Sequence, residues 1–234
     1  RYAPPGARVL ELGCGAGQAA RMLERAGFDV CGVDLSPLFL REALAGGGGP
    51  RIRWAAADAA RLPFRGQSFD VAAGYELIEH MPDAPAALDE MLRVVRIGGL
   101  AIVRSPALAS PVWPLIDLPS LLARGGPGRP PHYSNRREAA RFFAANLART
   151  ARELFRREAG FEQRAPSLGE EEVGGDRDAA CWTSALAIAR RLRWRGARIL
   201  QMAGEGPRFG PARLAGRLAP WLFPTVEVVA RRER

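Results

Sequence analysis

The segment Val9-Leu10-Glu11-Leu12-Gly13-Cys14-Gly15-Ala16-Gly17-Gln18 decides the fold of this chain. Its apolar run leads directly into a glycine-rich turn, which is typical of a buried strand followed by a helix. The three glycines tolerate positive φ and carry no side chains, so a ligand can lie against the backbone of the turn. A second apolar run, Val30-Cys31-Gly32-Val33, ends at Asp34, whose carboxylate can accept both hydroxyls of a ribose. Together these segments predict a nucleoside-containing cofactor over the ends of parallel strands.

The glycine spacing and Glu11 indicate which cofactor this is. A dinucleotide fingerprint reads G-x-G-x-x-G and places a pyrophosphate at a helix N-terminus. This chain instead has G-x-G-x-G, with Glu11 two residues before the first glycine. A carboxylate at that place repels a pyrophosphate but attracts the amino and sulfonium groups of S-adenosylmethionine. The pattern therefore favours S-adenosylmethionine over NAD.

Five segments carry specific motifs in a fixed order: E-L-G-C-G-A-G (11–17), G-V-D-L-S (32–36), A-A-A-D-A-A-R-L-P-F (55–64), S-F-D-V-A-A-G-Y-E-L-I-E-H-M-P-D (68–83) and R-V-V-R-I-G-G-L-A-I-V (93–103). This series resembles the class I S-adenosylmethionine-dependent methyltransferases. The nearest subgroup is similar to the methyltransferases of ubiquinone and menaquinone biosynthesis. The resemblance covers about residues 8–105, continues more weakly through 157–161 and fades beyond about Ser167.

The resemblance implies a cofactor site at the carboxyl ends of the strands. Glu11 would lie beside the amino group of the methionine part, Asp34 would bind the ribose, and Asp58 would accept a hydrogen bond from the adenine amino group. The cofactor-binding residues that it implies are Glu11, Gly13, Cys14, Gly15, Gly17, Asp34, Leu35, Asp58, Ala59 and Tyr75. For Asp58, the alternative is a cap of a turn or helix.

Methyl transfer from a sulfonium needs donor and acceptor in line, so positioning and desolvation can supply much of the catalysis. A base is needed only if the acceptor must lose a proton. The candidate catalytic residues are Tyr75, His80 and His132, all on the predicted active edge. Each has a structural alternative: Tyr75 packs against a lid, His80 holds a turn through a hydrogen bond, and His132 precedes a helix.

Alternating strands and helices predict a Rossmann-like three-layer α/β/α sandwich. The spacing predicts strands at 8–12, 29–34, 51–55, 69–74 and 100–104, and helices at 17–27, 37–44, 83–95 and 136–159. The helix at 83–95 would end at Gly98-Gly99. The resemblance implies a mostly parallel seven-stranded sheet in which strand six, at 161–166, forms a hairpin with an antiparallel last strand at 225–231. Residues 179–203 read as helical.

The length and composition of the chain limit its number of domains and the kinds of partner it can bind. The 234 residues predict one domain, with lid or substrate elaborations at 106–135 and 168–222. All 34 basic residues are arginines and the net charge is +9, which favours an anionic substrate, an acidic membrane surface or nucleic acid. Nucleic acid is not expected, because no RNA-binding module is recognisable. The Arg- and Trp-rich segment 182–198 has three interpretations. It is a solvent-exposed helix that covers the sheet, a wall of the substrate site, or a surface for peripheral membrane contact.

Three cysteines without metal-site spacing predict no metal centre and a reduced, cytoplasmic compartment. The function expected is an S-adenosylmethionine-dependent methyltransferase acting on oxygen or carbon of a small organic acceptor, with an apolar or lipid-like acceptor suggested by the lid composition. Gly74-Tyr75-Glu76-Leu77 stands where a D-P-P-Y or N-P-P-Y motif would mark a base amine or glutamine target. The alternatives are a catalytically inactive scaffold of the same fold and an NAD-dependent oxidoreductase. The oligomeric state is left open.

Overall fold

A seven-stranded sheet organises the chain, in the order β3-β2-β1-β4-β5-β9-β8. The structure, a computed structural model, describes residues 3–116, 118, 122–123, 135–156, 160–163, 179–205, 219 and 225–234. The strands are β1 (Arg8–Leu12), β2 (Asp29–Asp34), β3 (Ile52–Ala56), β4 (Phe69–Tyr75), β5 (Val95–Pro106), β6 (Glu162–Gln163), β7 (Cys181–Trp182), β8 (Ala197–Glu205) and β9 (Thr225–Arg232). The helices are α1 (Gln18–Arg25), α2 (Pro37–Ala45), α3 (Ala84–Val94), α4 (Trp113–Ile116), α5 (Arg136–Phe155) and α6 (Ala185–Trp194), with a 3₁₀ turn at Ile78–His80.

Helix starts follow the capping signals in the sequence. The Ser36 side chain accepts a hydrogen bond from the Phe39 amide, and Asp83 does the same for Ala86. Asn135 caps α5 by accepting from two backbone amides. These side chains satisfy amide groups that the first helical turn leaves without partners, so the predicted beginnings of α2, α3 and α5 are confirmed.

Both faces of the sheet are covered, as the three-layer prediction requires. On one face, Leu10 and Val103 of the sheet belong to the main core cluster with Leu88 of α3 and Leu192 of α6. On the other face, Val9, Val71 and Leu100 form a smaller cluster against Leu23 of α1. Strands β1 to β5 run parallel, and β9 is antiparallel to both β5 and β8. The predicted fold class, with an antiparallel last strand, is confirmed.

The prediction for the sixth strand of this sheet was wrong. Of the predicted strand 161–166, only Glu162–Gln163 is seen as a strand; it pairs with Cys181–Trp182 in a separate two-stranded sheet, and residues 164–166 lie outside the described part. The partner of β9 is Ala197–Glu205, which the sequence reading placed in a helix at 179–203. That helix is limited to Ala185–Trp194, because Gly196 adopts a φ of +86° and ends it. The chain beyond the glycine then gains its hydrogen bonds from β9.

The end of α3 also differs from the prediction. The helix stops at Val94, and Gly98 and Gly99 lie inside β5 rather than at the helix end. A side chain at Gly99 would come within 2.6 Å of the Asp70 carbonyl oxygen, so close approach of two strands requires this glycine. The first strand residues after the helix therefore begin earlier than the apolar run 100–104 suggested.

Elements outside the main sheet pack over the end of β5. The Ala109 amide donates to the Thr183 carbonyl, and the buried Asn146 side chain donates to the Leu108 and Ser110 carbonyls. These contacts join α5 and β7 to the chain that leaves β5. About half of the lid segments 106–135 and 168–222 lies outside the described residues, so their assignment stays a prediction. No helix in the described part of the chain is long and apolar enough to cross a membrane.

Candidate cofactor-binding and active site

The glycine-rich turn lies where β1 ends and α1 begins. Gly13, Gly15 and Gly17 have φ values of +66°, +50° and +78°, and Gly17 is the residue that caps α1. The Cys14 amide donates to the Val33 carbonyl at 3.0 Å, which anchors the turn to β2. A Cβ atom added at Gly15 would meet no atom within 4 Å. At Gly15 the turn therefore presents bare backbone to open space, as a ligand-cradling loop requires.

Trp54 of β3 supports this turn from below, a role that the sequence reading missed. A Cβ atom at Gly32 would lie 2.5 Å from the Trp54 ring, and one at Gly17 would overlap the same ring. Gly32 is the register partner of both Glu11 and Trp54, so the indole crosses β2 at the glycine and reaches the turn. The signal in the sequence was a glycine in the middle of an apolar strand, which often marks close approach of another group.

Glu11 is a buried carboxylate on β1, beside the first turn of α1. Only 3% of its surface is exposed, and its Oε2 atom has no hydrogen-bond partner among the described residues. Burial raises the pKa of Glu11 to about 7, against the opposing effects of a backbone hydrogen bond from Ala20 and the charge of Arg21. A buried carboxylate oxygen without a partner is costly, and a cationic ligand group would remove that cost. Glu11 thus fits the amino group of the predicted cofactor.

Cys14 lies within the same turn and is buried. Burial, with the nearby carboxylates of Glu11 and Asp34, raises the pKa of the Cys14 thiol to about 12. The side chain is therefore a neutral thiol near pH 7 and contributes volume rather than a nucleophile. Its part in cofactor binding stays a prediction that rests on its position.

Asp34 ends β2 and organises the surrounding backbone. Its Oδ2 atom accepts a hydrogen bond from the Gly15 amide at 2.9 Å, and Oδ1 accepts from the Ser36 amide at 2.8 Å. Each carboxylate oxygen can accept more than one hydrogen bond, so these contacts orient the group and leave capacity for ribose hydroxyls. The neighbouring Leu35 side chain is 71% exposed, so it is accessible for the predicted contact with an adenine ring.

Asp58 and Ala59 follow β3 at the same edge of the sheet. The Asp58 Oδ1 atom accepts from the Ala60 amide at 2.8 Å, and Asp58 forms a short bridge with Arg61. The turn-capping alternative for Asp58 is therefore observed. Its second carboxylate oxygen and the buried Ala59 remain compatible with the predicted adenine contacts.

Tyr75 ends β4, where it pairs in register with Arg104, which in turn pairs with Glu227 of β9. Burial raises the pKa of Tyr75, and the charges of Glu227 and Glu11 act in the same direction. The next residue, Glu76, has a φ of +50°, which is rare for a side-chain-bearing residue. Strained backbone of this kind is concentrated at functional sites, and here it lies directly after β4, on the predicted active edge.

His80 lies in the 3₁₀ turn that follows β4. Its Nε2 atom is 3.7 Å from Oε1 of Glu79, whose side chain is fully buried. The Ser105 hydroxyl donates to the other Glu79 oxygen at 2.9 Å, so the carboxylate is held from both sides. Glu79 was not among the predicted site residues, although it stands beside His80 in the E-H pair. The third candidate base, His132, lies outside the described residues.

Comparison with known proteins agrees with this geometry. Residues 10–103 match the model of a methyltransferase domain family. The residues that match this family carry the motifs and the fold of a class I S-adenosylmethionine-dependent methyltransferase domain. Its sequence is 39% identical over 102 residues to the 2-methyl-6-phytyl-1,4-hydroquinone methyltransferase of a Synechocystis species, covering 43% of this chain and 32% of that protein. It is 35% identical over 100 residues to the ubiquinone biosynthesis O-methyltransferase of Sinorhizobium medicae, covering 42% of this chain and 40% of that protein.

The chain spans less than half the length of these curated relatives. Solved structures extend the likeness of the fold to nearly the whole chain. An S-adenosylmethionine-dependent methyltransferase from Mesorhizobium loti aligns with a TM-score of 0.60 and 20% identity, covering 99% of this chain and 94% of that one. A second, from Listeria monocytogenes, aligns with a TM-score of 0.65 and 15% identity, covering 100% and 95%. At these identities the alignments support the fold alone.

The packing of Trp54 against Gly32 predicts a specific coupling between the two positions. We expect Gly32→Ala to lower the free energy of unfolding by about 1–3 kcal/mol, because the new methyl group overpacks against the indole. In a Trp54→Leu background the same change should cost much less. Urea denaturation of the four proteins of this double-mutant cycle measures the coupling. Equal costs in both backgrounds would show that the indole is not the reason for the glycine.

The raised pKa of Glu11 predicts a pH-dependent stability in the absence of cofactor. Because the folded-state pKa of about 7 lies above the reference value of 4.5, the folded protein holds the proton more tightly. The resulting stabilisation, of up to about 3 kcal/mol, is complete below pH 4.5 and is lost as the pH rises through 7. Glu11→Gln should remove this slope, whereas Glu42→Gln, at an exposed position on α2, should retain it. Urea midpoints measured across this range provide the test, and identical slopes for wild type and Glu11→Gln contradict the assignment.

Proposed function

We propose that this protein is an S-adenosylmethionine-dependent methyltransferase that modifies oxygen or carbon of a small, apolar organic acceptor. The observation that carries the proposal is the buried Glu11 carboxylate with an unpartnered oxygen beside a bare glycine turn. A pyrophosphate-containing cofactor would place negative charge against this group, whereas an ammonium group would neutralise it. The family of residues 10–103 supports the same cofactor.

Different residues would bind the methionine part and the adenosine part of the cofactor. Glu11 would hold the amino group, the backbone of the glycine turn would lie along the methionine part, and Asp34 would accept hydrogen bonds from the ribose. Exposed apolar side chains at Leu35, Leu38 and Phe39 follow directly and offer a surface for a flat base. When bound, S-adenosylmethionine supplies a methyl group on a positively charged sulfur.

The acceptor side lies around the end of β4. S-adenosylmethionine bound at the glycine turn would donate its methyl group to an oxygen or carbon of the acceptor, and the acceptor would then lose a proton. His80, held next to Glu79, is the group we assign to take that proton. Two relatives are named for methylation of a phytylated hydroquinone and for O-methylation in ubiquinone biosynthesis, which supports an acceptor with an apolar part.

Cofactor recognition is tested by calorimetric titration with S-adenosylhomocysteine. We expect micromolar binding by the wild type and binding about tenfold to a hundredfold weaker in Asp34→Ala, because charge-assisted hydrogen bonds to the ribose are lost. Asp29→Ala is the matched control, since Asp29 is an exposed aspartate at the opposite end of the same strand. NADH should not bind to any of these proteins.

The outcomes separate the three classes of function. A well-folded wild type that binds NADH and not S-adenosylhomocysteine is an oxidoreductase. One that binds neither ligand is a scaffold of the same fold. Equal losses in Asp34→Ala and Asp29→Ala would remove Asp34 from the ribose site.

The role of His80 is tested once a panel of phenolic and hydroquinone acceptors has identified a turnover assay. We expect His80→Gln to lower kcat by roughly 10²–10⁴ without weakening S-adenosylhomocysteine binding, as removal of a general base does. Formation of S-adenosylhomocysteine is the readout, and a lower kcat at unchanged affinity for S-adenosylhomocysteine is the signature of a lost base. An unchanged kcat would leave His80 with only the structural role of holding its turn.

A further inference from the structure

A recess away from the glycine turn lies between α5, the small β6–β7 sheet and the start of α6. It encloses about 290 Å³ of empty space, its open mouth included. Ala109, three residues beyond the end of β5, forms part of its wall, so the recess belongs to the same end of the sheet as the proposed acceptor cleft around the end of β4. Its polar lining is dominated by the side chains of Arg149, Arg152, Glu153, Arg156, Glu162 and Ser184.

Three of these arginines lie on α5 or directly after it. Arg149 and Arg152 are three residues apart, so their side chains project to the same side of the helix. Arg156 is the residue that follows the helix, and its backbone is extended. Arg190 of α6 reaches the same group of residues through Glu153. Like charges this close repel one another, so the cluster is unfavourable unless negative charge accompanies it.

The two carboxylates at the recess are already engaged. Glu153 contacts Arg156 at 3.3 Å and Arg190 at 3.0 Å, and Glu162 contacts Arg149 at 2.9 Å. Four guanidinium groups against two carboxylates leave two positive charges in excess among these residues. The recess is therefore positively charged even with its own ion pairs formed.

Among the arginines that line the recess, Arg152 has the fewest of its hydrogen-bond donors engaged. Among the described residues its recorded contact is a long hydrogen bond, 3.4 Å from Nε to the Ala148 carbonyl. A guanidinium presents five donors in a planar fork that matches a carboxylate or phosphate. The opposite wall is the Trp182 ring, over which Arg149 lies at 4.4 Å from the ring centre. The Arg149 guanidinium is therefore engaged by the Trp182 ring as well as by Glu162, whereas Arg152 lines the recess without an ion pair to a described residue.

We propose that this recess binds an oxyanion, a phosphate or carboxylate group carried by a small molecule, through Arg152 and Arg156. Because Ala109 links the recess to the end of β5, we assign that group to the methyl acceptor. The assignment to the acceptor rests on the proposed methyltransferase function, whereas oxyanion binding does not. The acceptor is then amphiphilic, with an apolar body at the cleft and an anionic group held by α5.

Inorganic phosphate and acetate are the probes, titrated at constant ionic strength against a chloride baseline and followed by thermal shift. The wild type should show saturable stabilisation by phosphate. Arg152→Gln should bind phosphate about tenfold more weakly, because a charge-assisted fork is lost, and Arg152→Lys should lie between the two. Arg141→Gln is the matched control, since Arg141 is an exposed arginine of the same helix outside the recess.

Each result has a defined meaning. Absence of saturable binding by the wild type, or equal losses in Arg152→Gln and Arg141→Gln, overturns the proposal. Vesicles of phosphatidylcholine with and without phosphatidic acid form a further arm, and binding to the anionic vesicles without binding of free phosphate also overturns it. Titration of the same variants with S-adenosylhomocysteine keeps the two hypotheses separate. Arg152→Gln should bind S-adenosylhomocysteine as tightly as the wild type does. If the wild type does not bind S-adenosylhomocysteine, only the assignment of the oxyanion to a methyl acceptor is lost.

Discussion

Parallel pairing of β1 with β2 and β4 is the constraint on which the rest of the structure depends. Leu12 pairs in register with Val33 on one side and Gly74 on the other, so three strands end at the same level of the sheet. The glycine turn, Asp34 and Tyr75 each follow one of these strands. Ligands in sheets of this kind bind beyond the carboxyl ends of the strands, and the register explains why residues more than sixty positions apart meet there.

The site is built around buried polar groups whose stability depends on partners. Glu11 is nearly inaccessible and has an unpartnered oxygen, whereas Glu79 is inaccessible and is held by Ser105 beside His80. The first arrangement is unfavourable without a cationic ligand and therefore points to binding. The second carboxylate accepts a hydrogen bond from the Ser105 hydroxyl and lies 3.7 Å from the His80 ring, and therefore points to the positioning of that side chain.

The acceptor that we propose would meet two environments, which together suit an amphiphilic molecule. Apolar side chains such as Trp113 and Phe142 line the packing between α4 and α5, while the outward face of α5 carries the arginine cluster. Part of the strong positive charge of the chain is thus concentrated in this arginine cluster, near the proposed site of methyl transfer. The apolar side chains would bind the apolar part of the acceptor, and the guanidinium groups would bind its anionic group.

The sequence by itself determined the first half of the molecule. Glycine spacing, Glu11, Asp34 and the capping residues Ser36 and Asp83 act over a few neighbouring positions, so local reasoning predicted the strands, the turns and the edge where the site lies. Tertiary structure alone decided the rest. The chain at 197–205 became a strand because β9 offered it a hydrogen-bonding edge, and Trp54 supports the turn only because β2 carries a glycine between them. The arginine recess likewise exists only where α5, β7 and α6 meet, since contacts between distant segments leave no periodic signal in the sequence.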